Sequence, residues 1–131
     1  MFIKQLPLVM ALTLGLSITS QNFVKNPKKI DSIIKLLKTE PNDSAKVANL
    51  HYLFDYFIYK DAEKGKYYAD EEIRVSKLID YETGIANGFY NYGVYHNTID
   101  NSDSARFYYK KAYNLFDQLN NEGVSLVQVM V

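Results

Sequence analysis

Two histidines and a run of acidic residues are the first candidates for chemistry in this sequence. No second His, Cys or acidic residue at i+3 or i+4 completes a convincing metal set with His51 or His96. Asp100 follows His96 by four residues, where capping of a helix end explains it better. We expect both histidines to make local hydrogen bonds, and the acidic run Asp70 to Glu72 to be a solvated helix face.

Other catalytic and binding signatures are excluded by composition. The chain has no Cys, which rules out disulfides, thiol catalysis and cysteine metal sites, and no Ser, His and Asp arrangement for nucleophilic catalysis can be argued. Fifteen basic residues balance fifteen acidic ones, so there is no basic field to attract nucleic acid. The twelve Tyr are better explained by packing than by base stacking. We therefore expect a binding protein without cofactor or metal.

The segment from Gly84 to Leu119 predicts two amphipathic helices joined by a polar turn at 100–103. Small and bulky side chains recur in it at helical spacing, as a tight helical hairpin requires. The small ones are Ala86, Gly93, Ala105 and Ala112, and the bulky ones are Phe89, Tyr92, Tyr109 and Phe116. We expect Gly93 and Ala105 to face each other across this hairpin.

A second, degenerate copy of the hairpin spans 44–79, with Gly65 forty residues before Ala105. The pattern resembles the tetratricopeptide repeat, in its long bacterial form. The positions that carry the resemblance are Phe89, Tyr92, Gly93, Ala105, Tyr109 and Ala112. In the earlier copy, Leu53 takes the place of Gly93, Gly65 that of Ala105, and Glu72 that of Ala112. The resemblance implies an all-α fold, a right-handed antiparallel helical-hairpin solenoid, and protein or peptide binding.

The chain divides into five segments on this interpretation. They are a signal peptide (1–20), a tether and N-terminal cap helix (21–41), repeat one (42–81), repeat two (82–121) and the start of a third repeat (122–131). The first segment pairs an early Lys4 with an apolar run too short for a membrane span, which predicts export to the periplasm or cell envelope. We expect a break at Asn120 and Asn121, after which a third repeat begins. Its apolar side chains, from Val124 onward, would lack the partner helix that a repeat needs to bury them, so we expect the sequence to be part of a longer protein.

In tetratricopeptide-like arrays the first helix of each hairpin lines the concave side, which gives a candidate peptide-binding face. On the second repeat this face would comprise Asn87, Tyr90, Asn91 and Asn97, all expected to lie off the packing seam. An Asn side chain offers both a donor and an acceptor, which suits an extended peptide. An ordinary solvated helix face is the alternative.

The sequence thus predicts a scaffold that binds a protein or peptide partner. Its leader, tether and long repeats resemble the N-terminal sensory region of a larger bacterial signalling protein, such as a sensor histidine kinase or a related regulator. A free-standing structural adaptor in an envelope complex is the alternative. A small periplasmic enzyme is a further one, but it would need a convergent catalytic set that the sequence does not show. Membrane contact would come only through an uncleaved leader or further parts of such a protein.

Overall fold

The protein is all-α over the part that the structure, a computed structural model, describes: residues 26–129, with side chains through Glu122. This confirms the all-α part of the predicted fold, since the described residues contain helices and no strand. The five helices are α1 (Pro27–Leu36), α2 (Ser44–Phe57), α3 (Ala62–Leu78), α4 (Glu82–Thr98) and α5 (Ser102–Val129).

Short polar side chains fix where the helices begin. Asp43 accepts the Lys46 backbone N–H at 2.9 Å and Asp61 accepts that of Lys64 at 3.0 Å, so they cap α2 and α3. Asn101 caps α5 in the same way through the Ser104 N–H at 3.2 Å. Each cap satisfies a donor that has no partner inside the helix. Helix α2 therefore begins where the earlier hairpin copy, 44–79, is predicted to begin, and α5 begins within the polar turn predicted at 100–103.

Two Asp residues end α3 and α4 with the same left-handed turn. Asp80 has φ 53° and Asp100 has φ 58°, the only positive values among the described non-glycine residues. After each, a backbone N–H reaches five residues back at 2.8 Å: Tyr81 to the Ser76 carbonyl and Asn101 to the His96 carbonyl. This is the hydrogen bond of a Schellman turn. The two linkers therefore reverse the chain in the same way.

The chain divides into two compact units between Ser32 and Ile33, inside α1. In the first unit, Asn26 caps α1 through the Lys28 N–H at 3.0 Å and the Ser32 hydroxyl donates to the Lys28 carbonyl at 2.9 Å. In the second unit, each helix from α2 to α5 packs against the next, and α2 also contacts α4. Its core is largely apolar, with Leu53, Phe54, Ile58 and Val75 fully buried, but it also encloses three polar side chains, those of Glu72, Ser76 and Asn91.

Helix α4 approaches its neighbours closely because glycines face them. A side chain at Gly88 would overlap Ile73 of α3, and one at Gly93 would overlap the Tyr109 ring of α5. The ring of Tyr109 is thus the group nearest to Gly93, and the pairing of Gly93 with Ala105 stays a prediction. Ala105 is buried, at 3 % exposure.

Three further expectations need correction. Glu72, expected in a solvated face, is 0 % exposed because α2 and α4 cover it. Asn91, expected off the packing seam, is 1 % exposed because it faces α3. The expected break at Asn120 and Asn121 does not occur. Helix α5 continues through both, and the Asn121 amide donates to Asp117 one turn earlier at 3.3 Å.

Some predictions lie outside the described residues. The signal peptide (1–20), most of the tether, and the side chains of the proposed third repeat beyond Glu122 are among them. Within 26–129, none of the helices combines the length and apolar composition needed to cross a membrane.

Candidate functional site

Three helices of the second unit each contribute one polar side chain to a single buried cluster: His51 of α2, Glu72 of α3 and Asn91 of α4. Nδ1 of His51 lies 3.1 Å from Oε1 of Glu72 and 3.4 Å from its Oε2. The Asn91 amide nitrogen donates to Oε2 of Glu72 at 2.7 Å and lies 3.1 Å from Nδ1 of His51. Because each member comes from a different helix, the cluster joins α2, α3 and α4. We call it the polar cluster.

Burial dominates the electrostatics of the Glu72 carboxyl. Removal from water raises its pKa above the ordinary value, because the charged form is the one that loses hydration. The hydrogen bonds and the charge of His51, and the hydrogen bond of Asn91, lower the pKa by less than burial raises it. Asp55 of α2 raises it further through like-charge repulsion. The pKa of the Glu72 carboxyl is therefore raised overall, and burial is the main cause.

One acceptor in the polar cluster has no partner. The side-chain oxygen of Asn91 is buried and makes no hydrogen bond, although the nitrogen of the same amide is fully engaged. An unpaired buried acceptor is costly, and native proteins keep few of them. This oxygen therefore remains able to accept a hydrogen bond beside Glu72 and His51.

A groove between α2 and α4 opens beside the polar cluster. It has a volume of about 190 Å³. Its walls come from α2, α3, α4 and the linker before α4: Ser44, Val47, Ala48, His51, Glu72, Tyr81 and Asn87. The side chain of His51 is 36 % exposed while that of Glu72 is 0 % exposed, so the histidine separates the carboxyl from solvent. We call this space the α2–α4 groove.

Tyr81 occupies a position that in the neighbouring helices belongs to a cap. It is the N-cap residue of α4 but makes no side-chain capping hydrogen bond, whereas Asp43, Asp61 and Asn101 cap their helices. Its ring instead lies against Gly84 and lines the α2–α4 groove. Since Tyr is a poor capping residue, the position supplies the groove with an aromatic wall at some cost to the helix end.

The four residues predicted to form one peptide-binding face lie in four different settings. Asn87 is half-buried and lines the α2–α4 groove, whereas Asn91 is buried in the polar cluster. Tyr90 is 50 % exposed on another side of α4, with its ring 5.4 Å from that of Tyr109. Asn97 is exposed near the end of α4. Of the predicted face, only Asn87 belongs to the groove.

The predicted packing residues lie between α3, α4 and α5. Phe89 and Ala112 form a buried cluster with Ile73, against which Tyr92 packs. Two further contacts tie α4 to α3, since the Tyr92 hydroxyl donates to Asp70 at 2.5 Å and the Tyr95 hydroxyl donates to Glu63 at 2.6 Å. The acidic side chains of α3 therefore serve packing as well as solvation.

A second groove, of about 540 Å³, lies on the aromatic side of α4 and α5. It is lined by Tyr90, Tyr109, Ala112, Tyr113 and Phe116. These side chains are almost entirely apolar where they face the groove, so it offers contact area with few hydrogen-bonding groups. We call it the aromatic groove.

Sequence reasoning did not predict the polar cluster. The chemical type of Glu72 predicts a solvated helix face, yet the repeat alignment gives it the position of Ala112, which is 1 % exposed. That alignment was the available signal, because equivalent positions of a repeat share their burial. His51, expected to make a local hydrogen bond, instead pairs with Glu72, which lies 21 residues away on another helix. Within the described residues, no group of three or more possible ligands is placed to hold a metal ion.

Comparisons of the chain with protein-family models, curated proteins and solved structures gave no match. Functional inference therefore depends on the residues and geometry of this chain alone.

Proposed function

We propose that this protein is a tetratricopeptide-like scaffold that binds an extended peptide segment of a partner protein in the α2–α4 groove. The observation that carries the proposal is the groove itself, in which polar side chains from two alternate helices meet beside a buried carboxyl. A solvated helix face would not need a buried polar cluster beneath it. The position between α2 and α4 corresponds to the concave side expected for such an array.

The helix register supports the repeat interpretation. Helices α3 and α5 begin at Ala62 and Ser102, and Gly65 and Ala105 are the buried fourth residues of the two. His51 and Asn91, separated by forty positions, also meet in one cluster. A constant offset between equivalent buried positions is the mark of a repeated unit.

The groove has the chemistry that an extended peptide needs. The amide of Asn87 can donate to a peptide carbonyl and accept from a peptide N–H at the same time. Hydroxyls of Ser44 and Tyr81 lie in the same walls and can do either. Val47 and Ala48 supply apolar contact beside these polar groups. Peptide recognition commonly combines backbone pairing with pockets for individual side chains.

The test is selection from a displayed random-peptide library on the immobilised protein, followed by fluorescence anisotropy with the selected peptides. Ala48→Arg places a long side chain in the groove from an exposed position, so it should abolish binding without unfolding the protein. Asn87→Ala should weaken binding about five- to a hundredfold, the effect of leaving one or more peptide groups unpaired. Asn114→Arg, on the exposed side of α5, is the matched control.

Binding lost in Ala48→Arg and kept in Asn114→Arg would support the proposal. No enriched peptide, or equal affinity of all three variants and the wild type, would overturn it. Circular dichroism of each variant should accompany the measurements, so that loss of binding is not confused with loss of fold.

We further propose that this protein is the sensory part of an exported bacterial signalling protein. A free-standing structural adaptor in an envelope complex is the alternative. The support is the leader-like pattern of 1–20, and both settings use the same groove. Fusion of 1–25 to a reporter enzyme that is active only after export tests the first step. An inactive reporter would show that residues 1–25 do not direct export, which would contradict an envelope location for both proposals.

A further inference from the structure

We infer that the α2–α4 groove selects a basic side chain, Lys or Arg, of the bound peptide. The inference rests on the proposed function and adds the chemistry of the ligand to it. It comes from three observations: the charge beneath the groove, the charges around it, and the aromatic residue in its wall.

The charge beneath the groove comes from Glu72. Its carboxyl is closed to solvent and hydrogen-bonded by His51 and Asn91. Two charges act on its pKa: that of His51 lowers it and that of Asp55 raises it. In a medium of low dielectric a carboxylate attracts a nearby cation far more strongly than in water. A cation entering the groove beside Glu72 would therefore gain from this attraction.

Acidic residues outnumber basic ones among the sequence neighbours of the groove-wall residues. Asp43 precedes the wall residue Ser44, and Asp80 and Glu82 flank the wall residue Tyr81, whereas Lys46 precedes the wall residue Val47. Of the residues that line the groove, only Glu72 and His51 can carry a charge near neutral pH. Lys46 itself lines a different groove, with Lys38 and Arg74. Charge complementarity therefore favours a cationic ligand over an anionic one.

Tyr81 supplies an aromatic face for the same ligand. Its ring is 36 % exposed and forms part of the wall, in an N-cap position where a smaller polar residue would serve the helix better. Ammonium and guanidinium groups are attracted to the face of a Tyr ring. A carboxylate below and an aromatic ring beside it together favour a cation over a neutral polar group.

The size of the groove fits one side chain. A volume of about 190 Å³ corresponds to about six water molecules at roughly 30 Å³ each. This is enough for an extended Lys or Arg side chain but not for a folded ligand. The peptide backbone would then lie along the mouth of the groove, beside Asn87 and Ser44.

The experiment combines a change in the peptide with a change in the protein. A selected peptide is synthesised with its Lys, or with norleucine, which has a similar length and no charge. Affinities of both are measured by fluorescence anisotropy for the wild type, Glu72→Gln and Glu71→Gln. Glu72→Gln keeps the shape and an acceptor for Asn91, and Glu71→Gln makes the same change one residue away, where the side chain pairs with Arg74 at 2.8 Å.

We expect norleucine to weaken binding by about tenfold or more in the wild type and in Glu71→Gln, and by less than about threefold in Glu72→Gln. An equal loss in all three proteins would overturn the role of Glu72. If Glu72→Gln does not fold, Tyr81→Leu decides instead, because it should reduce the preference for Lys over norleucine by about two- to fivefold. An unchanged preference there would overturn the inference.

The two proposals fail in different ways. Selected peptides that bind in the groove but carry no common Lys or Arg would overturn the basic-side-chain inference and leave peptide binding intact. A library that yields no binding peptide would overturn the proposed function itself.

Discussion

The Asn91 amide donates a 2.7 Å hydrogen bond to the Glu72 carboxylate, and both side chains are closed to solvent. The two residues belong to α4 and α3, so this bond joins two helices at the centre of the fold. A hydrogen bond to a charged group is stronger than one between neutral groups, and its loss leaves a buried charge less well paired. Asn91 is therefore a structural residue, and Asn87 on the same helix is not.

Replacement of Asn91 by Ala should lower the free energy of unfolding by about 1 to 3 kcal/mol, since it removes a donor from a buried carboxylate. Asn87→Ala should change it by less than about 0.5 kcal/mol, as for most surface sites. Chemical denaturation of both variants gives the comparison, with the wild type as reference. Equal midpoints for the two Asn variants would contradict the role assigned to Asn91.

The charge of Glu72 predicts an unusual dependence of stability on pH. The pKa of this carboxyl is raised in the folded state, so the native protein binds its proton more tightly than the unfolded chain does. This group therefore opposes folding when it is charged. Its contribution becomes more favourable as the pH falls through the raised folded pKa towards 4.5, its ordinary value, and levels off below that. Most carboxyls in proteins act in the opposite direction.

Glu72→Gln isolates this contribution because Gln cannot titrate. The unfolding free energy of the wild type minus that of Glu72→Gln should increase on acidification, from neutral pH to about 4.5. Denaturant melts at several pH values give this difference, and Glu71→Gln provides the reference for a partly exposed carboxyl that pairs with Arg74. A difference that decreases on acidification would show that the pairing with His51 outweighs burial.

The helices were predictable from sequence because their signals are local. Asp43 and Asp61 are capping residues followed by apolar periodicity, and capping depends on three or four neighbouring residues. The polar cluster was not predictable from local signals, because the environment of Glu72 depends on which helices cover α3. Chemical type placed Glu72 and Asn91 on the surface. The repeat position of Glu72, equivalent to the buried Ala112, would have predicted burial, had position been weighted above polarity. The repeat position of Asn91 would not, because its equivalent, His51, is partly exposed.

The contact of Gly88 with Ile73 gives a prediction whose sign depends on the background. In a helix interior Ala is favoured over Gly by about 0.8 to 1.0 kcal/mol, but here the added methyl group would overlap the buried Ile73 side chain. Overpacking costs about 1 to 3 kcal/mol, so Gly88→Ala should destabilise the wild-type protein. In an Ile73→Ala background the overlap is gone, and the same substitution should stabilise. A double-mutant cycle by thermal melting tests this, and additive effects would contradict the close contact.

Asp80 and Asp100 predict a gain in stability on substitution by Gly. Both have positive φ, which costs an L-residue about 1 to 2 kcal/mol and costs Gly nothing sterically, although Gly loses more entropy on folding. The balance should raise the unfolding free energy by about 0.5 to 1 kcal/mol for either substitution, while Asp80→Val should lower it.

Asp103→Gly is the control. Asp103 lies in the first turn of α5, where an acidic side chain stabilises the helix, so Gly should lower the unfolding free energy there. Differential scanning calorimetry of the four variants makes the comparison. A decrease for both Asp80→Gly and Asp103→Gly would contradict the left-handed turn at the end of α3.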